Sequence, residues 1–428
     1  MEKLRLHGHE AFFAGGWVRD YLLRKKPKDV DIATSARPDE VMRLFPNTRA
    51  IGAQFGVVQV RMYGHAYEVA TFRSDHEYLD GRHPSSVSFS GPEQDALRRD
   101  FTINGLFYDP VADRLIDFVR GRNDLQNRLI RTIGDPGARF SEDKLRMLRA
   151  VRLASCLDFE IVPETWDAIR KLAPEILSVS WERIRDELLK LLTGPAPAAG
   201  IDLLHESRLL GHILPEVEAM RGVPNMGASG DADVFAHTRT ALSLLRNPSP
   251  CLALATLLHD VGKPSSYSVD AQACFAGHAR LGGRISEQIC RRLKMSREEA
   301  GRITDLVEEH LDFEQAKGLK ESALRRLLGK PYIAEHLELH RVNLVSGRRD
   351  LEVHAYCVQK LEQYRHEPAP APFITGEDLI GLGYQPGPIF KEMLRTIEDL
   401  QLDGIVRSRE EALEYLSRSY PPAGTAES

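Results

Sequence analysis

Short apolar runs open the chain. EAFFAGG (Glu10 to Gly16), VDIAT (Val30 to Thr34), FGVVQVRMYGHAYEVATF (Phe55 to Phe72) and RLIDFV (Arg114 to Val119) are brief, rich in Val, Ile, Phe and Ala, and interrupted by glycine or polar residues. That pattern predicts strands, whereas PDEVMRLF (Pro38 to Phe45) has helical spacing, so the first part reads as α/β. From SEDKLRMLRAVRLASCL (Ser141 to Leu157) onward the period changes. ETWDAIRKLAPEIL and WERIRDELLKLL carry apolar residues at helical intervals, predicting helices almost to the end. The predicted class is α+β, a mixed sheet with helices followed by an all-helical remainder. TGPAPAAG (Thr193 to Gly200) and HEPAPAPF (His366 to Phe373) predict sharp helix junctions or linkers, and SYPPAGTAES a frayed tail.

Composition narrows this only slightly. At 428 residues the chain is long enough for two to four domains. A formal net charge of -5 excludes a globally basic nucleic-acid coat but leaves room for a local basic groove. Cys156, Cys251, Cys274, Cys290 and Cys357 are scattered, odd in number and without Cys-x-x-Cys spacing, which suits a reducing, cytoplasmic setting rather than a disulfide framework. No apolar run has the length of a membrane span.

The candidate chemistry begins at GGWVRDYLLRKKPKDVDIAT (Gly15 to Thr34). In a strand, alternation puts Asp29 and Asp31 on one face with Val30 opposite, and two carboxylates so placed suit Mg²⁺. Alone, the pair also fits a solvent-facing strand. Gly15 and Gly16 remove Cβ atoms where strand turns into helix, letting backbone N–H groups approach a triphosphate. Arg19 then supplies a phosphate contact, or simply pairs with Asp20. Glu68 becomes a third carboxylate if its strand lies beside that of Asp31.

GGWVRDYLLRKKPKDVDIAT, LRRDFTINGLFYDP, LIDFVRGRNDLQNRLIRTIGDP, SEDKLRMLRAVRLAS and WERIRDELLKLL, in this order, resemble the class II tRNA nucleotidyltransferase and bacterial poly(A) polymerase family. The resemblance implies a polymerase-β-like nucleotidyltransferase head over 1–138, a helical neck over 139–198, a helical body with an HD-type domain over 199–350 and a helical tail over 351–428. It implies that Asp29 and Asp31 are catalytic and hold Mg²⁺; Glu68 joins them as a catalytic carboxylate only on the strand-adjacency reading, the alternative being a surface Glu on an edge strand. Gly15, Gly16, Arg19, Arg99, Asp100 and Asn104 would contact the incoming nucleotide. Asp143 and Arg146 would read its base, with Arg149 and Arg152 alongside for the phosphates. The chemistry agrees, because a carboxylate accepts from the exocyclic amine of C or A while a guanidinium donates to a ring acceptor. Spacing predicts that Asp143, Arg146 and Arg149 share one helix face, with the arginines unpaired; the plain alternative is a solvated helix with internal ion pairs.

The polar stretch Arg73 to Ala96 predicts a long loop, and in the family matches the flexible loop needed to switch from C to A. IGAQFGVVQV (Ile51 to Val60) and a neutral to acidic end depart from the basic elements of the poly(A) branch. The resemblance therefore implies addition of CCA, or its terminal A, to tRNA from CTP and ATP. Poly(A) synthesis on RNA ends ranks below it.

CLALATLLHDVGKP (Cys251 to Pro264) predicts an apolar helix ending at His259-Asp260, with His237, His278 and His310 on neighbouring helical segments. Imidazoles and a carboxylate converging from several helices suit Mn²⁺, Ni²⁺ or Fe²⁺. The set resembles the HD phosphohydrolase domain, whose last metal aspartate is replaced here by Asn343 in HRVN. Asparagine is a neutral, weaker ligand, which leaves metal binding open and puts hydrolysis in doubt. An HD metallohydrolase with a head that only binds nucleotide is the alternative of a different class.

Overall fold

The computed structural model describes residues 1–27, 29–52, 56–75, 86–225, 233–267, 275 and 277–421. Two compact units emerge, the first built from Met1–Arg221, Asn247–Leu254 and Gln288–Arg297, the second from Gly222–Arg246, Ala255–Glu287 and Glu298–Ser428. The four-part division expected from the sequence is finer than these units.

The first unit holds the strands, some within the predicted apolar runs and others outside them. They are β1 (Ala11–Ala14), β2 (Asp31–Thr34), β3 (Thr48–Gly52), β4 (Val57–Met62), β5 (His65–Thr71), β6 (Arg73–Asp75), β7 (Val87–Phe89), β8 (Leu106–Asp109) and β9 (Arg114–Asp117). Seven of them make one mixed sheet in the order β3-β4-β5-β2-β1-β8-β9. Within it β2 and β5 run parallel, and Asp31 is the register partner of Glu68. Alternation serves both faces: Ala11, Ile32, Val58, Val60 and Val69 pack into one core with Val41 and Phe45, while Phe12, Ala14 and Ala33 pack into another with Phe72, Ala96 and Phe107. A stack of Phe13, Trp17, Tyr21 and Tyr108 fastens the Gly16–Leu22 helix to the sheet, with Phe13 and Trp17 ring centroids 4.1 Å apart.

Three expectations need correction. Strand β2 begins at Asp31, so Asp29 lies in an exposed bend ahead of it rather than on a shared strand face. Asp143 is not on the same helix as the arginines. It has extended backbone (φ −149°, ψ 103°) between the Pro136–Glu142 helix and the Leu145–Leu157 helix, because its carboxylate accepts from the Leu145 N–H and works as a local cap. The stretch Arg73 to Ala96 is not loop throughout: β6 and β7 pair antiparallel, and a helix follows at Pro92–Leu97. Its centre, 76–85, lies outside the described residues.

Helices then dominate. Trp181–Leu192 packs Ile184, Leu188 and Leu191 inward, and TGPAPAAG is a junction from which the Pro197–Glu206 helix resumes. A two-residue parallel pair, β10 (Leu129–Ile130) with β11 (Glu160–Ile161), encloses the Leu145–Leu157 helix in sequence. In the second unit Phe313, Leu324, Leu327, Leu337 and Cys357 form one core, and Leu379, Met393, Ile397 and Leu416 another. Thr375 and Asp378 make a capping box that starts the Gly376–Gly381 helix. Cys156, Cys251, Cys290 and Cys357 form no disulfide among the described residues, and Cys274 lies outside them. No helix among the described residues is long and apolar enough to cross a membrane.

Candidate active site

A cleft of about 540 Å³ opens on the sheet face that carries Asp31 and Ala33. Small side chains, Ala14, Ala33 and Ala70, floor it, and Asp31 and Glu68 stand side by side at its edge. Burial and the neighbouring Glu68 push the Asp31 carboxyl above the usual carboxylate range, Arg99 opposing and Asp29 adding to the effect. Asp29 is near enough to be felt but is not among the lining residues.

The Gly-Gly turn is shaped by the cleft. Gly15 has φ +66°, and a Cβ there would lie 3.0 Å from Arg99 Nη1 and 3.5 Å from Asp31 Oδ2. Only glycine combines that backbone with that approach. Gly16 starts the helix that brings Arg19 to the cleft, where Arg19 donates from Nε to Asp20 (2.8 Å) and from Nη1 to Asn104 Oδ1 (2.7 Å). The plain Arg19–Asp20 pair is thus formed, and Arg19 still lines the cleft.

Seven arginines, Arg19, Arg98, Arg99, Arg146, Arg149, Arg152 and Arg183, line this cleft against four carboxylates, Asp31, Glu68, Asp100 and Asp143. The expected stripe of unpaired arginines is not found. Arg149 forks onto Asp100 Oδ2 (2.9 and 2.7 Å), Arg152 donates to Glu187 (2.5 Å), and Arg146 donates to Glu142 (2.5 Å) and to the Arg139 carbonyl. Arg98 and Arg99 share the buried Asp95. Burial raises the Asp100 carboxyl, but Arg149, Asn104 and the Phe101 N–H outweigh it and hold the group well below its ordinary range. Glu142 and Asp95 lie one helical turn from their arginines, whereas Asp100 and Glu187 lie far from theirs in sequence, where helical spacing could not find them. Sequence reasoning also missed Arg98, which follows directly from the LRRD motif, and Arg183, which spacing along the Trp181–Leu192 helix could not place.

The second cluster lies wholly in the second unit. His237, His259 and Asp260 bring ligand atoms within 4.8 Å of one another, as do Asp260, His278 and His310, and all are buried. His259, His278 and His310 each place Nδ1 against the carbonyl three residues earlier (Thr256, Phe275 and Val307; 2.7–2.8 Å). Donation from Nδ1 leaves Nε2 as a lone pair, and the three Nε2 atoms lie 3.3, 3.4 and 3.9 Å from Asp260 oxygens. Among the described residues, Nε2 of His259 and of His278 is buried without a hydrogen-bond partner. Burial, with His259, pushes His310 down to about 3. Gly262 permits the assembly, since a Cβ there would lie 2.2 Å from the His278 carbonyl oxygen. Two features depart from an open metal site: Lys263 Nζ donates to Asp260 Oδ2 (2.7 Å), and Asn343 Oδ1 lies 3.0 Å from His237 Nε2.

A glycine turn against carboxylates and an arginine-lined cleft define a nucleotidyltransferase-type head, and residues 11–131 match the Poly A polymerase head domain. Residues 158–221 match the probable RNA and SrmB-binding site of polymerase A, and residues 234–345 the HD domain. The crystal structure of the Bacillus stearothermophilus CCA-adding enzyme in complex with CTP superposes over 98% of this chain and 95% of that one, at TM-score 0.75 and 30% identity. The chain belongs to the class II CCA-adding enzyme family and carries an HD-type domain.

The CCA-adding enzyme of Geobacillus thermodenitrificans is 48% identical over 210 residues, 49% of this chain and 52% of that protein. That of Levilactobacillus brevis is 43% identical over 256 residues, 58% and 64% of the two chains. The match thus spans about half to two thirds of the length of these curated relatives. The Thermotoga maritima enzyme complexed with tRNA is similar in fold, at TM-score 0.62 and 21% identity over 97% of this chain and 93% of that one. Membership of the family implies a divalent metal at the head.

Proposed function

We propose that the protein adds CCA, or its terminal A, to the 3′ end of tRNA in the cytoplasm, using CTP and ATP without a nucleic-acid template. The observation that carries this reading is the cleft in which arginines outnumber carboxylates and a carboxylate-guanidinium pair, Asp143 and Arg146, accompanies Asp31. An excess of guanidinium suits a triphosphate, and the Asp143–Arg146 edge suits a base with an exocyclic amine. The same family's occurrence with CTP and with tRNA supports the substrate class.

The head residues fit a hard divalent cation. Burial first, and then Glu68 and Asp29 against Arg99, raise the Asp31 carboxyl, and a cation beside it would offset both the burial and the like charges. Asp31 and Asp29 would hold Mg²⁺, which when bound supplies charge neutralisation at the transferring phosphate and a more acidic attacking hydroxyl. The chain's own part is positional. Arg19, Arg99, Arg149 and Arg152 would exchange their present partners for phosphate oxygens, the Gly15–Gly16 turn would let the nucleotide approach the backbone, and Asp143 with Arg146 would choose the base. The tRNA 3′-hydroxyl then attacks the α-phosphate in line and pyrophosphate leaves.

The HD-type cluster fits a first-row divalent ion, Mn²⁺ or Ni²⁺, because three imidazoles, each with Nδ1 against a backbone carbonyl, turn Nε2 toward one carboxylate. Such an ion would supply an acidified water. Lys263 on Asp260 and Asn343 beside His237 weigh toward a body that binds metal weakly over an active phosphohydrolase.

The test is to incubate the protein with tRNA ending at the discriminator base, supply CTP, ATP or both, and sequence the 3′ ends. CCA with both nucleotides is expected. A added only to tRNA already ending in CC would make the protein an A-adding specialist, and A tails on generic RNA would replace the reading with poly(A) synthesis.

A further inference from the structure

Asp143 has four lone-pair directions on its two carboxylate oxygens, and three are filled. Oδ1 accepts from the Leu145 N–H (3.1 Å) and from Arg183 Nη1 (3.1 Å), while Oδ2 accepts from Arg183 Nη2 (2.7 Å). Among the described residues one acceptor position remains, on Oδ2. Arg183 comes from the Trp181–Leu192 helix, 40 residues away in sequence, and itself lines the cleft. Its planar fork makes two parallel bonds, which hold the carboxylate plane as well as its position. Asp143 needs that support, because it stands in extended backbone between two helices and no helical turn restrains its side chain.

We infer that Arg183 is a positioning residue for base selection: it leaves Asp143 a single acceptor, aimed by the guanidinium fork. The inference rests on the reading of Asp143 as the base-reading carboxylate. An exocyclic amine of C or A can donate to that one acceptor. The carbonyl that U or G presents at the same edge meets a lone pair and is repelled. Freed from Arg183, the carboxylate can rotate about its side-chain bonds, recruit water to its vacated lone pairs, and tolerate the wrong edge. A Lys at 183 keeps the charge but makes a point contact without a fork, so it restores part of the aim.

The experiment measures kcat and KM for CTP, UTP, ATP and GTP in single-nucleotide addition to tRNA by wild type, Arg183→Leu, Arg183→Lys and Asp143→Asn, with melting temperature recorded for each. Arg183→Leu is expected to lower the CTP/UTP and ATP/GTP preference about tenfold or more, mostly through KM for the correct nucleotide, with Arg183→Lys intermediate. If all four nucleotides lose the same factor in both variants, Arg183 is only a structural ion pair and the inference is overturned. If Arg183→Leu does not fold, the Arg183→Lys preference decides alone, and wild-type preference overturns it. Wild-type selection in Asp143→Asn would be a different failure: the base-reading assignment itself would fall, and the role of Arg183 with it.

Discussion

Asp31 and Glu68 are register partners across the parallel β2–β5 pair, so two carboxylates from strands far apart in sequence share one sheet face at the edge of an arginine-lined cleft. Asp31→Asn should lower nucleotide addition by about 10³-fold or more, the size of several kcal/mol of lost metal-assisted stabilisation. Glu68→Gln should cost about 10–100-fold, as for groups that tune a metal ligand from beside it. Single-turnover addition of CMP to tRNA reads both. Activity of Asp31→Asn within about tenfold of wild type would remove it from the reaction.

Gly15 and Gly8 both have positive φ, +66° and +83°, but only Gly15 faces functional atoms; nothing lies within 4 Å of a Cβ at Gly8. Either change to Ala should cost roughly 1–2 kcal/mol of backbone strain. Only Gly15→Ala should also raise KM for CTP and ATP together, by displacing Arg99. Equal KM values in the two variants would show that the turn matters for folding alone.

Glu187 is 3% exposed and accepts from Arg152, with Lys190 at 3.3 Å and Arg149 at 3.7 Å. Glu187→Gln leaves a partly buried guanidinium cluster without its counter-charge. Denaturant unfolding should show a loss of about 3–5 kcal/mol. A loss below about 1 kcal/mol would mean that water or other groups compensate.

Titration calorimetry with Mn²⁺ tests the second unit. His259→Ala and His278→Ala should each abolish binding, and Asn343→Asp should tighten it by restoring a charged ligand beside His237. Unchanged binding in His259→Ala would place the ion elsewhere.

His336 and His340, one turn apart on the Ile333–Ser346 helix, are buried, and burial pulls each down to about 4. Lys330 adds to the effect at His336 against Asp305, Asp312 and Glu335; His354 and Arg349 add to it at His340 against Glu314. Both rings are neutral when folded, whereas the unfolded chain takes up protons near pH 6.5. Stability should therefore fall as pH drops from about 6.5 to about 4, by on the order of 1–3 kcal/mol per ring. Urea unfolding at several pH values checks this. His340→Phe should flatten the slope, and an unchanged slope would exclude this histidine as a source.

Local pattern revealed much of the head. Alternation in VDIAT and YEVATF, the glycines before WVRD and the apolar helix ending at His259-Asp260 are all short-range signals, and each element forms where that pattern places it. What escaped is long-range. Arg149 meets Asp100 across 49 residues, Arg183 meets Asp143 across 40 and Arg152 meets Glu187 across 35, so no window of helical spacing contains both partners. Asp143 was misplaced for a local reason: EDKLR has helical composition, and only the competing Asp143–Leu145 bond breaks the helix there.

The short β10–β11 pair has a mechanical consequence. Glu160 N–H donates to the Arg128 carbonyl (2.9 Å) and Val162 N–H to that of Ile130 (3.1 Å), tethering the far end of the Leu145–Leu157 helix, while Arg183 grips Asp143 at its near end. A rod pinned at both ends cannot slide lengthwise without breaking backbone bonds at one and a guanidinium fork at the other. On the proposed function, adaptation to successive nucleotides would then fall to side chains along this helix and to movement of the RNA, with the helix itself a stationary gauge.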